Sequence, residues 1–316
     1  MKIITHSDIK TLDIRPQLCY QWVNEMICHK QKALLPPKIS LKPRDGVFCN
    51  VMPCIIRTGK RNFGGVKVVT RYPRRKPSLQ SMLLLFDADT GDNLALIDAN
   101  WITAMRTGAV AAHSIQLFAR KEFNTVGMIG LGNTARATML VLSDIMPEKR
   151  LKIKLMKYKR QAEDFKSRLA FNKNYDFTFV KSYDDVVKDS DVVVSAATYL
   201  PGDICTNDCF GKGILLVPIH TLGFTNCDLF FDKVFADDEA HVRDFRHFDR
   251  FRYFAETSDV ANGIKKGRES DDERILVYNI GVSIHDVNFA SKIYQMMLNK
   301  ESETLSLQAP TEKFWI

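Results

Sequence analysis

The sequence predicts an α/β protein in which a doubly wound parallel sheet is joined to a discontinuous α+β domain. Between residues 125 and 236, short apolar strand-like runs alternate with helical stretches, the order typical of parallel sheets covered by helices on both faces. Before residue 100, an amphipathic stretch is followed by strand-like runs at 46–52, 65–70, 81–87 and 94–98. A third observation is an apolar-periodic helix at 282–298, which can pack back on the first domain.

These observations predict domain boundaries. We expect residues 106–281 to form the parallel-sheet domain, and residues 1–105 together with 282–316 to form the second domain. A turn sequence at 89–92 predicts that runs 81–87 and 94–98 pair as an antiparallel hairpin. An Ala-rich helix over 103–121 is expected to bridge the two domains.

The composition is that of an ordinary globular protein. The chain has 316 residues and 45% hydrophobic content, enough for two modest domains. Its seven cysteines are scattered and contain no C-x-x-C pair, so neither a disulfide framework nor a metal site is expected. No export signal is visible and no apolar run approaches the roughly 20 residues that cross a bilayer. We expect a cytoplasmic protein without membrane contact.

The net charge of +8 raises the question of nucleic-acid binding. The basic residues are dispersed, and only 71–77 and 149–160 are dense in them. No nucleic-acid recognition motif is present, and an anionic small ligand explains the charge equally well. No nucleic-acid partner is expected.

A glycine turn carries the first functional prediction. Gly130-Leu-Gly132-Asn133-Thr134-Ala135 follows the strand at 125–129 and opens a helix at 134–145. Gly130 permits the tight turn, Gly132 lets the backbone approach a pyrophosphate, and Ala135 allows close helix packing. A second strand follows at 152–156. This context favours a Rossmann-type dinucleotide site over the alternative, a tight turn without a ligand.

The residues after the second strand bear on which dinucleotide binds. An acidic residue there would hold a ribose 2′-hydroxyl, but the chain has Met156-Lys157-Tyr-Lys159-Arg160. Lys157, Lys159 and Arg160 suit a 2′-phosphate, so NADP(H) is preferred and NAD(H) remains possible. The alternative is that these side chains form a solvated helix start, although the helix dipole disfavours cations there.

The start of the bridging helix is a second candidate anion site. Thr103, Arg106 and Thr107 lie where free backbone N–H groups and a guanidinium can together bind a phosphate or a carboxylate. Taken alone, Arg106 would more often be a surface residue.

Five segments in this order resemble the ornithine cyclodeaminase/mu-crystallin family. They are Val51-Met52-Pro53, Gly65-Val-Lys67, Thr103-Ala-Met-Arg106-Thr107, Ile129-Gly-Leu-Gly132 and Asn279-Ile-Gly281 with Asp286. The likeness covers nearly the whole chain. It implies an NAD(P)-binding domain and a homodimer built through the N-terminal domain, and it leaves the substrate open.

The resemblance also implies roles for individual residues. Lys38, Lys67 and Arg106 are expected to clamp a substrate carboxylate, with Met52 beside them and Lys67 also in a catalytic role. Lys38 stands where many members have arginine. Together with the glycine turn and the basic residues after the second strand, the predicted cofactor-binding set is Arg106, Thr107, Gly130, Gly132, Asn133, Thr134, Lys157, Lys159, Arg160, Ala197, Thr198, Asn279 and Gly281.

Departures from the family pattern shift the expected chemistry. Thr134 replaces the usual glutamine of the turn, Asn50 replaces an acid, and His220 stands where cyclodeaminases carry a catalytic aspartate. A histidine, with a reference pKa of about 6.5, suits a proton donor to an imine nitrogen. The alternative for His220 is a core or hinge histidine with one satisfied hydrogen bond.

The sequence therefore predicts an NAD(P)H-dependent oxidoreductase acting on the CH–NH bond of an imino or amino acid. Its substrate is an imine of a 2-oxo acid and an amine, or the reaction runs in reverse. Two alternatives stay open: a cyclodeaminase-like lyase with captive NAD⁺, and a non-catalytic, crystallin-like binder of a small ligand. The basic loop 71–78 further suggests a substrate with a second carboxylate, held by Arg71, Arg74 or Arg75, unless the loop is only a solvated surface.

Overall fold

The computed structural model describes residues 1–59, 61–197, 200, 202–219, 224 and 227–307. The strands are β1 (Lys2–Ile4), β2 (Ile39–Arg44), β3 (Val47–Arg57), β4 (Asn62–Arg71), β5 (Leu79–Asp87), β6 (Asn93–Asp98), β7 (Thr125–Ile129), β8 (Leu151–Met156), β9 (Tyr175–Val180), β10 (Val192–Ser195), β11 (Leu215–Pro218), β12 (Lys233–Ala236), β13 (Phe254–Glu256) and β14 (Ile275–Tyr278). The helices are α1 (His6–Lys10), α2 (Pro16–Cys28), α3 (Asn100–Phe118), α4 (Asn133–Ile145), α5 (Gln161–Arg168), α6 (Tyr183–Val187), α7 (Thr257–Ala261) and α8 (Ser283–Met296).

An eight-stranded parallel sheet forms the larger half of the molecule. Its strand order is β13-β12-β14-β11-β10-β7-β8-β9. The order reverses direction next to β7 and β10, so this sheet is doubly wound and has a switch point where ligands bind beyond the carboxyl ends of the strands. The predicted fold class is confirmed.

A six-stranded mixed sheet forms the other half, in the order β1-β6-β5-β4-β3-β2. β5 and β6 pair antiparallel, as the turn sequence at 89–92 predicts. One face of this sheet is covered by helices: α8 packs against β3 and β4, and α3 against β5. The opposite face carries a row of paired apolar residues, Ile39, Val51, Val68 and Met82.

Helix α3 connects the two sheets. It packs against α2 and α8 on one side and against α4 on the other, and most of its residues after Met105 are buried. It begins three residues before the predicted start, and the Asp98 carboxylate accepts the backbone N–H of Asn100, its first residue, at 2.9 Å. One hydrophobic core therefore extends under both sheets.

Three strands have no counterpart among the predicted elements. β1 and β13 have three residues each, too few to show an alternating pattern. β2 is exposed along its whole length and contains Pro43, as an edge strand does. Its residues bury no face, so no hydrophobic periodicity marks it.

Candidate active site

The glycine turn after β7 lies against the loop after β10. Gly130 has φ +78, a backbone conformation that side-chain-bearing residues rarely adopt. A Cβ atom added there would lie 2.3 Å from the backbone nitrogen of Ala197. The turn therefore requires glycine both for its backbone angles and for the close approach of the neighbouring loop.

The second glycine opens a free helix start. Gly132 is the N-cap of α4, no side chain caps this end, and a Cβ atom added at Gly132 would meet nothing within 4 Å. The backbone N–H groups of the first turn, which includes Asn133 and Thr134, have no partner inside the helix. Open space in front of uncapped N–H groups fits the pyrophosphate of a dinucleotide.

The basic residues after β8 are mostly turned to solvent. Lys157 forms an ion pair with Glu163 at 3.4 Å, and the ammonium of Lys159 lies 5.2 Å from the centre of the Tyr158 ring. Lys159 has φ +52, and backbone outliers of this kind cluster at ligand sites. Arg160 is the N-cap of α5. A cavity of about 390 Å³ beside this segment is lined by Gly132, Asn133, Arg136, Gln161, Asp164 and Arg168, among others.

A row of side chains crosses the helix-covered face of the six-stranded sheet. Met52 of β3 and Lys67 of β4 are direct cross-strand partners. The register that pairs Ile39 with Val51 brings Lys38, just before β2, to the end of the same row. Met52 is buried and Lys67 has no exposed surface. The row thus has an amino group on either side of Met52, that of Lys38 and that of Lys67.

A buried carboxylate joins Lys67 to Arg106. Asp286, in the first turn of α8, places Oδ1 2.7 Å from Lys67 Nζ and 2.9 Å from Arg106 Nε. The side chains of Lys67 and Asp286 are both fully buried, and that of Arg106 is 6% exposed. Oδ2 of Asp286 is buried and has no hydrogen-bond partner within the described ranges. Because two cations share one anion, the cluster has a net positive charge. Oδ2 of Asp286 can still accept a hydrogen bond.

Burial shifts the titration of the two lysines. It lowers the pKa of Lys67 to about 7, with the charge of Arg106 acting in the same direction and that of Asp286 against it. Burial also lowers the pKa of Lys38 to about 8, opposed by the carboxylate of Asp237. An amine with a pKa near neutrality can give up or take a proton under working conditions.

The segment after β14 closes the cluster. Asn279 is buried, and its side chain exchanges hydrogen bonds with Ser114 of α3. Gly281 has φ +83, and a Cβ atom added there would lie 3.1 Å from a terminal nitrogen of Arg106. Lys38 Nζ donates to the carbonyl oxygen of Ile280 at 2.8 Å. Asp237 accepts the backbone N–H groups of Ile280 and Gly281, which fixes this segment at the carboxyl edge of the parallel sheet.

Residues 3–301 match the family described as Ornithine cyclodeaminase/mu-crystallin family. The chain belongs to this family. Among curated relatives, the nodulation efficiency protein NfeD of Rhizobium meliloti is 27% identical over 277 residues, 83% of each chain. A Delta(1)-pyrroline-2-carboxylate reductase of Bacillus cereus is 25% identical over 264 residues, 75% of this chain and 78% of the relative.

Two solved structures have the same fold as this chain. Delta(1)-pyrroline-2-carboxylate reductase of Thermococcus litoralis, in complex with NADH and L-proline, superposes with a TM-score of 0.84 at 22% identity and covers 97% of this chain and 100% of its own. An archaeal alanine dehydrogenase dimer with bound NAD gives a TM-score of 0.82 at 22% identity and covers 98% of this chain and 99% of its own.

Within the described residues, no helix is long and apolar enough to cross a membrane.

In this member of the ornithine cyclodeaminase/mu-crystallin family, the structure brings the predicted substrate-binding residues to one region. Arg106 meets Lys67 through Asp286 and approaches Gly281, whose neighbour Ile280 holds Lys38. Thr107 lies one position further along α3, and its hydroxyl donates to the carbonyl oxygen of Thr103 at 2.6 Å. Thr198 and His220 lie outside the described residues.

Two acidic residues of the site were not assigned a role by sequence reasoning. The sequence presents Asp286 only as part of a motif, because its pairing with β4 and α3 depends on contacts across more than 170 positions of chain. Asp237 follows β12 directly, and an acid at a parallel strand's carboxyl end is a signal that could have found it. Of the three arginines predicted to hold a second carboxylate, Arg75 donates from its guanidinium to Thr70 and Ser78 of its own hairpin.

Proposed function

We propose that this protein is an NAD(P)H-dependent oxidoreductase that acts on the CH–NH bond of an imino or amino acid. The observation that carries the proposal is the buried cluster of Lys67, Arg106 and Asp286, with Lys38 beside it. A positive excess in a buried site favours a carboxylate ligand, and an amine of lowered pKa can protonate a nitrogen. Family members named for imine reduction and amino acid dehydrogenation support this assignment.

Reduction of an imine adds one hydride to carbon and one proton to nitrogen. When bound, a reduced nicotinamide cofactor would supply the hydride. Arg106, Lys38 and Lys67 hold the substrate carboxylate, which fixes the imine carbon in one orientation. Lys67 gives its proton to the nitrogen, and Oδ2 of Asp286 can accept a hydrogen bond from the resulting N–H. His220 is the second candidate donor, on sequence grounds.

A screen of substrates and cofactors tests the function. NADPH and NADH oxidation would be followed with a panel of 2-oxo acids, mono- and dicarboxylic, against ammonia, alkylamines and amino acids. We expect consumption of reduced cofactor only when oxo acid and amine are both present. Release of ammonia from a diamino acid without net cofactor use would support a lyase instead. Binding of substrates without turnover of any pair would contradict the proposed activity.

We further propose that the cofactor site prefers NADP(H). Lys157, Lys159 and Arg160 follow β8 with no acid among them, and an anionic 2′-phosphate would offset their mutual repulsion. Replacing all three of these residues by Ala is expected to raise the Kd of NADPH at least about tenfold, because charge-assisted hydrogen bonds to the 2′-phosphate are lost. The Kd of NADH should stay within about twofold. Fluorescence titration measures both, and Lys152→Ala, an exposed lysine of β8, is the control.

We propose that one domain, residues 1–105 with 282–316, binds the substrate and forms a homodimer. The other domain, residues 106–281, is proposed to bind the cofactor. The face of the six-stranded sheet opposite the helices supports the dimer, since Ile39 is 59% and Met82 52% exposed on one apolar row. Sedimentation should give a species of twice the chain mass. Met82→Asp should shift it toward the monomer, because it places a charge in the buried interface. A wild-type monomer at micromolar concentration would contradict this assembly.

A further inference from the structure

A chain of hydrogen bonds links the backbone of Lys38 to the parallel-sheet half of the protein. The N–H of Lys38 donates to Nε2 of His241 at 3.2 Å. Because a backbone N–H can only donate, Nε2 must accept, and the proton of the neutral ring then lies on Nδ1. Nδ1 lies 2.8 Å from Oδ1 of Asp238 and donates to it. The ring therefore has a defined tautomer and two defined partners.

Asp238 is held in turn by a lysine from the other half of the molecule. Lys30 Nζ lies 2.7 Å from Oδ2 of Asp238 and 2.6 Å from Oε1 of Glu256. The His241 and Asp238 side chains are 4% and 9% exposed. Burial alone would raise the pKa of Asp238, but hydrogen bonds from His241 and Lys30 lower it to about 2. The carboxylate stays ionised wherever the protein is folded at ordinary pH.

The contact with His241 adds to the pairing of β2 with β3, which begins at Ile39, the residue after Lys38. Lys38 precedes β2, an edge strand that is exposed along its whole length. Its ammonium donates to the carbonyl oxygen of Ile280 at 2.8 Å, next to Gly281 and Arg106. The backbone contact with His241 and the side-chain contact with Ile280 thus hold both ends of Lys38 against the parallel sheet.

We propose that His241 is a positioning residue for substrate binding: it fixes the Lys38 backbone so that the Lys38 ammonium stands beside Arg106 in the carboxylate clamp. Asp238 and Lys30 orient the ring. The role of Lys38 in the clamp rests on the proposed function, whereas the restraint on its backbone does not.

Two substitutions at His241 test this role kinetically. His241→Gln keeps an acceptor for the Lys38 N–H and a donor for Asp238, and His241→Phe keeps neither. With the substrate pair that turns over in the screen, His241→Phe should raise KM about tenfold, the size expected for losing one buried hydrogen bond. Its kcat should change less than about threefold, and His241→Gln should restore KM. A fall in kcat at unchanged KM, or the same KM in both variants, overturns the proposal.

A matched control exists in the same half of the protein. His247 contacts Asp228 through Nδ1 at 2.8 Å, the same type of pair, and no bond from it to Lys38 is present among the described residues. His247→Phe should leave KM unchanged. A rise in KM equal to that of His241→Phe would show a general packing effect and contradict a specific role for His241.

Amide hydrogen exchange tests the restraint without any turnover. The Lys38 amide should be protected in the wild type and in His241→Gln, and should exchange at least about tenfold faster in His241→Phe, because opening then breaks no hydrogen bond. Unchanged exchange in His241→Phe overturns the proposal. If the screen finds no activity while exchange responds as expected, the proposed function fails and the restraint stands. If His241→Phe does not fold, Lys30→Met, which releases Asp238 but leaves the ring intact, should show the same direction of change.

Discussion

Asp286→Asn is expected to lower the free energy of unfolding by about 3 to 5 kcal/mol, the cost of leaving buried charge without its partner. Lys67 and Arg106 both depend on Oδ1 of this carboxylate, and neither is more than 6% exposed. The amount of unfolding free energy that Asp286→Asn loses should depend on pH. At pH 6 the variant loses two ion pairs, whereas at pH 9 Lys67, with its pKa lowered to about 7, is already neutral and only Arg106 is left unpaired.

The sign of this dependence follows from proton binding. Between the folded pKa of Lys67, about 7, and its ordinary value of 10.5, the unfolded chain holds more protons than the folded protein, so wild-type stability rises with pH. In the variant the lysine loses its counter-charge and its pKa falls further, so this rise begins at lower pH. Urea unfolding at pH 6, 7.5 and 9 measures the difference. Asp272→Asn is the control, because it breaks an exposed ion pair with Lys212 and should not measurably change the free energy of unfolding. An equal loss of unfolding free energy in both variants would show that Asp286 is not a buried partner.

Lys67→Met is expected to reduce kcat by about 10² to 10⁴, the range that general acid catalysis contributes. The substitution removes the amine that lies against Asp286 but keeps a side chain of similar length. In the wild type, kcat/KM for imine reduction should fall as pH rises through about 7, since the donor must be protonated. The pH profile of His220→Ala separates the two candidate donors. If His220 gives the proton, His220→Ala should lose the same fraction of kcat, and Lys67→Met should change mainly KM.

A second buried lysine provides the control for Lys67→Met. Lys233 is 7% exposed, lies on β12 and binds Glu269 and Glu273 away from the proposed cluster. Lys233→Met should lower stability and leave kcat within about threefold, because it breaks a pair without touching the substrate. Equal losses of kcat in the two variants would mean that Lys67 acts only through the stability of the fold.

The parallel sheet and the glycine turn could be predicted because local sequence patterns indicate each of them. An apolar strand, two glycines and a helix start lie within twenty residues of one another, from β7 to α4. The predicted boundaries of β7, residues 125–129, agree with the structure. Edge strand β2 could not be predicted, since it buries no face and contains a proline.

The buried charge cluster depends on contacts that no local pattern records. Lys67 and Lys38 would be classed as surface residues by residue type alone. The burial of Lys67 follows from α8 covering β3 and β4, a long-range contact, and from the carboxylate that α8 contributes. The His241 contact with Lys38 spans 203 positions and joins a short turn to the start of an edge strand. Only the folded chain brings these groups together.

The position of Asp286 has a consequence for how the protein is made. Arg106 and Asp286 lie 180 positions apart, and β4 precedes both. During synthesis, the six-stranded sheet and α3 leave the ribosome long before α8, at rates of about 5 to 20 residues per second. For that interval Lys67 and Arg106 have no carboxylate partner, and burying them would be costly. The half of the protein that is synthesised first therefore completes its interior last, when the C-terminal helix arrives.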